Sequence, residues 1–477
     1  MLIFELSSKG RRGYRLPELD VERVDPRAYL GDYFREELKF PEVSELDVVR
    51  HYTRLSQLNY AIDTTMVPLG SCTMKYNPRI NEELAGLEEF KDLHPMVEEQ
   101  AQGTLRLMHE LCELLKEIGG FEGISLQPAA GAQGELLGLL MTLAYHRDRG
   151  NTNKRKVLVP DTSHGTNPAT ASLCGFEVVT VKSNREGELD WEDFQKKLTD
   201  EVACLMITNP NTLGIFEKKI RVVADALHEK DAILYMDGAN MNALVGLAKP
   251  GQWGVDVMHF NLHKTFSTPH GGGGPGGGAV GVSKRLEPYL PVPLVVKEGE
   301  SYRLEWDRPK SVGKLLTFYG HTGIMLRALA YILHYGSELK KVAQYAVLNA
   351  NYLKHLLKGL FLDPYEPSPR MHEFVLSAQN LSEQGVNAMD VAKALLDRGF
   401  YAPTVYFPLT VKEALMIEPT ETESPQNLQR FAQALREILQ LVKEKPEEVK
   451  ASPKKTPVRR IREAEANRKP VLRASWA

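Results

Sequence analysis

The chain has 477 residues, 43% of them hydrophobic and 25% charged, with a formal net charge of −3. A single hydrophobic core usually stops growing at about 250–300 residues, so a large domain and a smaller one are expected. The small net charge gives no reason to expect general nucleic-acid or membrane attraction, and no run of about 18 uncharged apolar residues is present to span a bilayer.

The start of the chain is broken by charge and glycine within about ten residues, too early for the apolar core of a signal peptide. Residues 1–60 mix Pro, Arg and acidic residues and are expected to form an extended arm with a short helix at 46–57. Such an arm often lies on a partner subunit. Four widely spaced cysteines, Cys72, Cys112, Cys174 and Cys204, make no zinc-type pattern and fit free thiols in a reducing compartment, so a soluble cytoplasmic protein with no metal is expected. Apolar residues at helical spacing predict an amphipathic helix over 101–118.

From there β-rich runs at 156–159, 177–181, 203–208, 233–236 and 257–260 alternate with helical patterns such as 135–145, 191–198 and 222–228. This alternation predicts a mainly parallel sheet covered by helices, with ligands at the carboxyl ends of the strands. A large domain over 61–310 would hold it. Beyond a Pro-rich stretch at 287–294, a long helical region at 322–357, a strand at 373–377 and helices at 388–398 and 428–443 predict a smaller α+β domain over 311–445. The basic tail, 446–477, is expected to be solvated or wrapped on a partner.

Chemistry concentrates just past the predicted strands. Lys264 follows the 257–260 run, flanked by His263 and Thr265 and followed by glycine tracts at 271–274 and 276–278. Alone, a His-Lys pair before glycines fits a solvated charge as well as a cofactor lysine. Upstream, the 233–236 run ends in Asp237, followed by Asn240. Lysine condenses with the aldehyde of pyridoxal phosphate (PLP), and a carboxylate at a strand end holds the pyridinium nitrogen protonated. An acid at one strand end and a lysine at the next is the arrangement of fold-type I PLP-dependent transferases, the aspartate-aminotransferase-like α/β fold. His263 and Thr265 are candidate phosphate donors.

Residues 127–134, including Ala132 and Gln133, precede a helical run and are placed to cradle a phosphate with backbone N–H groups, or else form an ordinary glycine-rich turn. His164, after the 156–159 strand, is a candidate to stack on the pyridine ring, or a plain loop histidine. Asn209 and Asn211 are candidates to bond the ring hydroxyl, or parts of a proline turn.

The motifs at 68–78, 127–135, 163–169, 237–242 and 261–275 together make the chain resemble the P-protein of the glycine cleavage system, glycine dehydrogenase (decarboxylating), over essentially its whole length. A chain of this size carrying the PLP lysine resembles subunit 2 of the split form. That resemblance implies a companion subunit 1 in an α2β2 assembly, glycine as substrate, and the lipoyl arm of the H-protein as acceptor of the aminomethyl group. It assigns Lys264, Asp237 and His164 catalytic roles, and places the loop at 71–75, with Cys72, at the mouth of the site. The alternatives are a simple amino-acid decarboxylase or aminotransferase of the same fold, and a non-catalytic scaffold subunit.

Overall fold

The computed structural model describes residues 2–268 and 276–472, so the tract at 271–274 and the last five residues of the basic tail lie outside the described residues. The chain divides into two compact units, Met1–Tyr60 and Ala61–Ala477. In the first, the helix Glu45–Gln57 starts at a reciprocal cap in which Ser44 and Asp47 satisfy each other's backbone N–H groups. Glu42 braces the segment before it, its carboxylate accepting from the Gly10 N–H at 2.6 Å.

The second unit is built on a seven-stranded sheet. Its strands are β1 (Gly123–Ser125), β2 (Lys156–Pro160), β3 (Glu177–Val181), β4 (Val202–Thr208), β5 (Ile233–Gly238), β6 (Val257–Asn261) and β7 (Gly278–Val282). They lie in the order β1-β7-β6-β5-β4-β2-β3. β2 to β6 pair parallel to one another, and β7, the one reversed strand of this sheet, pairs antiparallel with both β6 and β1. β4, β5 and β6 are buried at every position, as strands covered by helices on both faces must be. β3, at the sheet edge, buries only Val181 fully. The short β1 and the glycine-rich β7 carry little sequence signal and were not anticipated. Nor was the hairpin of β8 (Leu294–Glu298) and β9 (Ser301–Glu305) beyond the proline stretch.

The long helical region expected at 322–357 is two helices, Thr322–Tyr335 and Lys340–Leu356. Gly336, at φ 49, ends the first; few other residues hold that backbone conformation. The second sheet has strands β10 (Phe374–Ser377), β11 (Thr404–Val405) and β12 (Ala414–Ile417), antiparallel in the order β10-β12-β11. The helices Lys340–Leu356, Ala388–Leu396 and Pro425–Glu444 pack with it through Leu353, Leu395, Phe431 and Leu435. Among the described residues no helix is long and apolar enough to cross a membrane.

Candidate active site

Because β2, β4, β5 and β6 run parallel, their carboxyl ends share one edge, and the residues just past them converge there. A cavity of about 320 Å³ opens at that edge, within the size range of small-molecule sites. Asp237, the penultimate residue of β5, lies opposite Thr208 of β4 and His259 of β6. Its carboxylate accepts from the Ala239 N–H at 2.9 Å and lies 3.3 Å from His259 Nε2. Burial pushes this carboxyl up, but His259, the Lys264 ammonium and the Ala239 N–H together hold it below the usual range. Asp237 is therefore an anion at neutral pH, 3% exposed, at the wall of the cavity.

His259 is fixed in turn. Its Nδ1 lies 2.5 Å from the Tyr235 hydroxyl and its Nε2 2.8 Å from Asn261 Nδ2. Burial drives this imidazole below its ordinary value despite the neighbouring carboxylate.

Lys264 lies in the turn after β6 and donates from Nζ to the Ser71 carbonyl at 2.7 Å. The start of the helix Gly131–Asp148 also lines the cavity, and it has no side-chain cap to take up its first N–H groups. Gly131 leaves no room for a side chain: a Cβ there would meet Asn261 Oδ1 at 2.7 Å and His259 Nε2 at 3.0 Å. Thr208 Oγ1 is buried at the cavity with no hydrogen-bond partner among the described residues.

The structure brings Lys264, Asp237, His164, His263, Ala132 and Asn240 to this cavity, together with Gly70, Ser71 and Cys72. His164 Nδ1 is 2.9 Å from Thr166 Oγ1, and its ring meets Phe407 edge-on at 5.7 Å. His263 Nδ1 is 3.0 Å from the Gly277 carbonyl.

Asn209, Gln133 and Thr265 are not among the cavity residues. The Asn209 amide is taken up by Glu217, whose N–H it accepts at 3.0 Å, so it shapes the turn after β4. Asn211 likewise binds the Gly187 carbonyl and the Glu217 carboxylate, at 2.7 and 2.9 Å. Gln133 Oε1 turns back to accept from the Ala129 N–H at 2.8 Å. Thr265 is buried, and its carbonyl accepts from Lys75 at 2.5 Å.

Among the cavity residues that went unread in the sequence are His259 and Asn261. The signal was present: polar residues two apart on a strand otherwise buried throughout share one face. Glu135 went unread as a site residue. Its carboxylate accepts from Thr166 and Thr170 at 2.7 and 3.0 Å, and burial with the nearby Asp237 charge raises it to about 7.

Comparison with known proteins shows the family. The family model described as glycine cleavage system P-protein matches residues 31–301, and one described as glycine dehydrogenase, C-terminal domain, matches residues 342–461. The chain is 68% identical over 474 residues to the probable glycine dehydrogenase (decarboxylating) subunit 2 of Aquifex aeolicus (strain VF5), covering 99% of this chain and 98% of the relative. It belongs to the P-protein family, as a glycine dehydrogenase (decarboxylating) subunit 2. A solved glycine decarboxylase (P-protein) of the glycine cleavage system, in inhibitor-bound form, superimposes with TM-score 0.73 at 23% identity, covering 86% of this chain and 94% of that one. The sphingosine-1-phosphate lyase of Burkholderia pseudomallei K96243 does so with TM-score 0.64 at 15% identity, covering 89% and 97%. The fold is that of the fold-type I PLP-dependent enzymes.

Proposed function

We propose that this P-protein family member decarboxylates glycine as the PLP-bearing subunit of a two-subunit enzyme, and passes the aminomethyl group to the lipoyl arm of an H-protein. The observation that carries the reading is the meeting of Asp237 and Lys264, from adjacent strand ends, at one cavity. The residues present fit the cofactor: Lys264 would hold its aldehyde carbon, Asp237 its ring nitrogen, and the N–H groups at the start of the Gly131–Asp148 helix its phosphate. The orphaned Thr208 hydroxyl adds a polar group for the ring side. When bound, PLP supplies a sink for the electron pair left behind as carbon dioxide departs.

The remaining work falls to the chain's own groups. Asp237 stays ionised and so keeps a proton on whatever base it faces. The Ser71 carbonyl would hold the Lys264 amine whenever that amine is free. Thr166 occupies Nδ1 of His164, so a proton carried by that ring exchanges at Nε2. Burial lowers the imidazole, favouring its neutral, proton-accepting form.

The subunit 2 family membership supports a companion subunit 1, and the assembly proposed with it is α2β2. The four free cysteines fit a reducing cytoplasm. The test is release of labelled carbon dioxide from carboxyl-labelled glycine, with PLP and lipoylated H-protein, with and without subunit 1. Release that needs both proteins supports the reading; carrier-independent release makes the chain a simple decarboxylase. Borohydride is expected to fix the cofactor to Lys264, and recovery of an unmodified Lys264 peptide refutes its role.

A further inference from the structure

The segment following Pro68 crosses from the large sheet to the small one. Gly70 packs directly on β12, where a Cβ would lie 2.2 Å from Met416 Cγ, and its N–H reaches the Met416 carbonyl at 3.3 Å. Then Ser71 and Thr73 adopt φ of 67° and 45°, a conformation non-glycine residues rarely hold. Two carboxylates sit beneath this turn. Glu373, just before β10, and Glu418, just after β12, lie side by side because Phe374 pairs with Ile417. Both are fully buried.

All four of their oxygens accept from protein donors. Glu373 takes the Ser71 N–H at 2.8 Å and Asn240 Nδ2 at 3.1 Å. Glu418 takes the Thr73 N–H at 3.0 Å and the Thr73 hydroxyl at 2.6 Å. With His372 Nε2 at 4.0 and 3.9 Å from them, the trio has a composition that could hold a metal ion, but oxygens committed in this way serve as anchors. What they anchor are the two peptides that flank the Ser71–Cys72 peptide, whose carbonyl holds Lys264.

We infer that Glu373 and Glu418 are positioning residues for the active-site lysine. They clamp Ser71 and Thr73 in a left-handed turn, so that the Ser71 carbonyl faces the cavity and receives the Lys264 amine. The small domain thereby sets where that amine rests when it is not bonded to cofactor. This inference takes Lys264 as the cofactor lysine, from the function proposed above.

The test uses the full-length chain without cofactor, comparing Glu373→Ala, Glu418→Ala, Glu373→Gln and Thr73→Val with the parent. Cys72 lies in the clamped turn, so its alkylation under native conditions, read per cysteine by peptide mass spectrometry, reports release of the turn. Trace acetylation of Lys264, relative to the exposed Lys218, reports release of the amine. Leaving one anchored group unpaired is expected to speed both reactions about tenfold. The order should be alanine above glutamine, whose single amide oxygen still serves the Ser71 N–H.

Cys112 and Cys204 are buried elsewhere and should keep the parent's rates. Unchanged Cys72 and Lys264 rates in all variants overturn the inference, as does a rise shared with Cys112 and Cys204, which signals general opening. Thr73→Val removes only a hydroxyl and keeps the test usable if the alanine variants do not fold. Borohydride trapping separates the two claims: a chain whose Lys264 is not fixed by borohydride loses the cofactor role, whatever the labelling shows.

Discussion

Replacing Gly131 by alanine tests whether the first turn of the Gly131–Asp148 helix is the phosphate cradle. Gly131 does not sit at positive φ, so alanine is allowed by the backbone and only space is at issue. The new methyl would lie 2.7 Å from Asn261 Oδ1 and 3.0 Å from His259 Nε2, and something must move. Asn261 is tied to His259 at 2.8 Å, and His259 lies against Asp237, so the shift either breaks that contact or pushes the helix start away from the cavity. Where the helix start is pushed away, one hydrogen bond to the phosphate is lost, about 1–3 kcal/mol, which is about 5–150-fold in cofactor affinity. Alanine's better helix propensity returns roughly 0.5–1 kcal/mol to the cofactor-free chain. The expected result is thus a melting temperature close to the parent's with much weaker PLP binding, read by absorbance titration of both chains. PLP affinity within twofold of the parent would refute the assignment of this turn.

Burial raises the Glu217 carboxyl to about 7, against an ordinary value of 4.5, so the folded chain holds a proton there that the unfolded chain has released. The group's contribution to stability is complete below the unfolded value and falls as pH rises through that window, by up to about 3 kcal/mol, then stays flat. Comparing denaturant unfolding of the parent and Glu217→Gln from pH 4.5 to 8 should show this difference shrinking, and parallel curves would sink the argument. Lys75→Met removes the cation that pairs with Glu421 at 2.8 Å, both side chains being buried, and leaves it, among the described residues, only the Asn242 amide and the Tyr331 hydroxyl as donors. An unpaired buried charge costs about 3–5 kcal/mol, so the urea midpoint should fall sharply and partly recover in Lys75→Met with Glu421→Gln. A loss well under that range would mean that the Asn242 and Tyr331 donors, or water, suffice to hold the Glu421 charge.

The alternation of β-rich runs with helical patterns was enough to place β2 to β6 within a residue or two: the central strands, covered on both faces, are almost wholly apolar, and the edge strand β3 shows by its β-branched Val-Val-Thr-Val run. With the strands placed, their parallel order made the following residues site candidates, which is how Lys264, Asp237, His164 and Asn240 could be named from sequence. Short strands such as β1 bury too few residues to leave a pattern, and the break at Gly336 is a single backbone conformation inside a continuous apolar stripe.

What sequence could not decide was which polar groups face the cavity. Asn209 and Asn240 follow strand ends alike, yet Asn209 closes its own turn on Glu217 while Asn240 reaches the cavity and Glu373. Nor could sequence join Ser71 to Glu373, 302 residues on, or Thr73 to Glu418, 345 residues on. Composition and local pattern report what one segment buries; only the packing of the two sheets determines which carboxylates meet beneath the turn that holds Lys264.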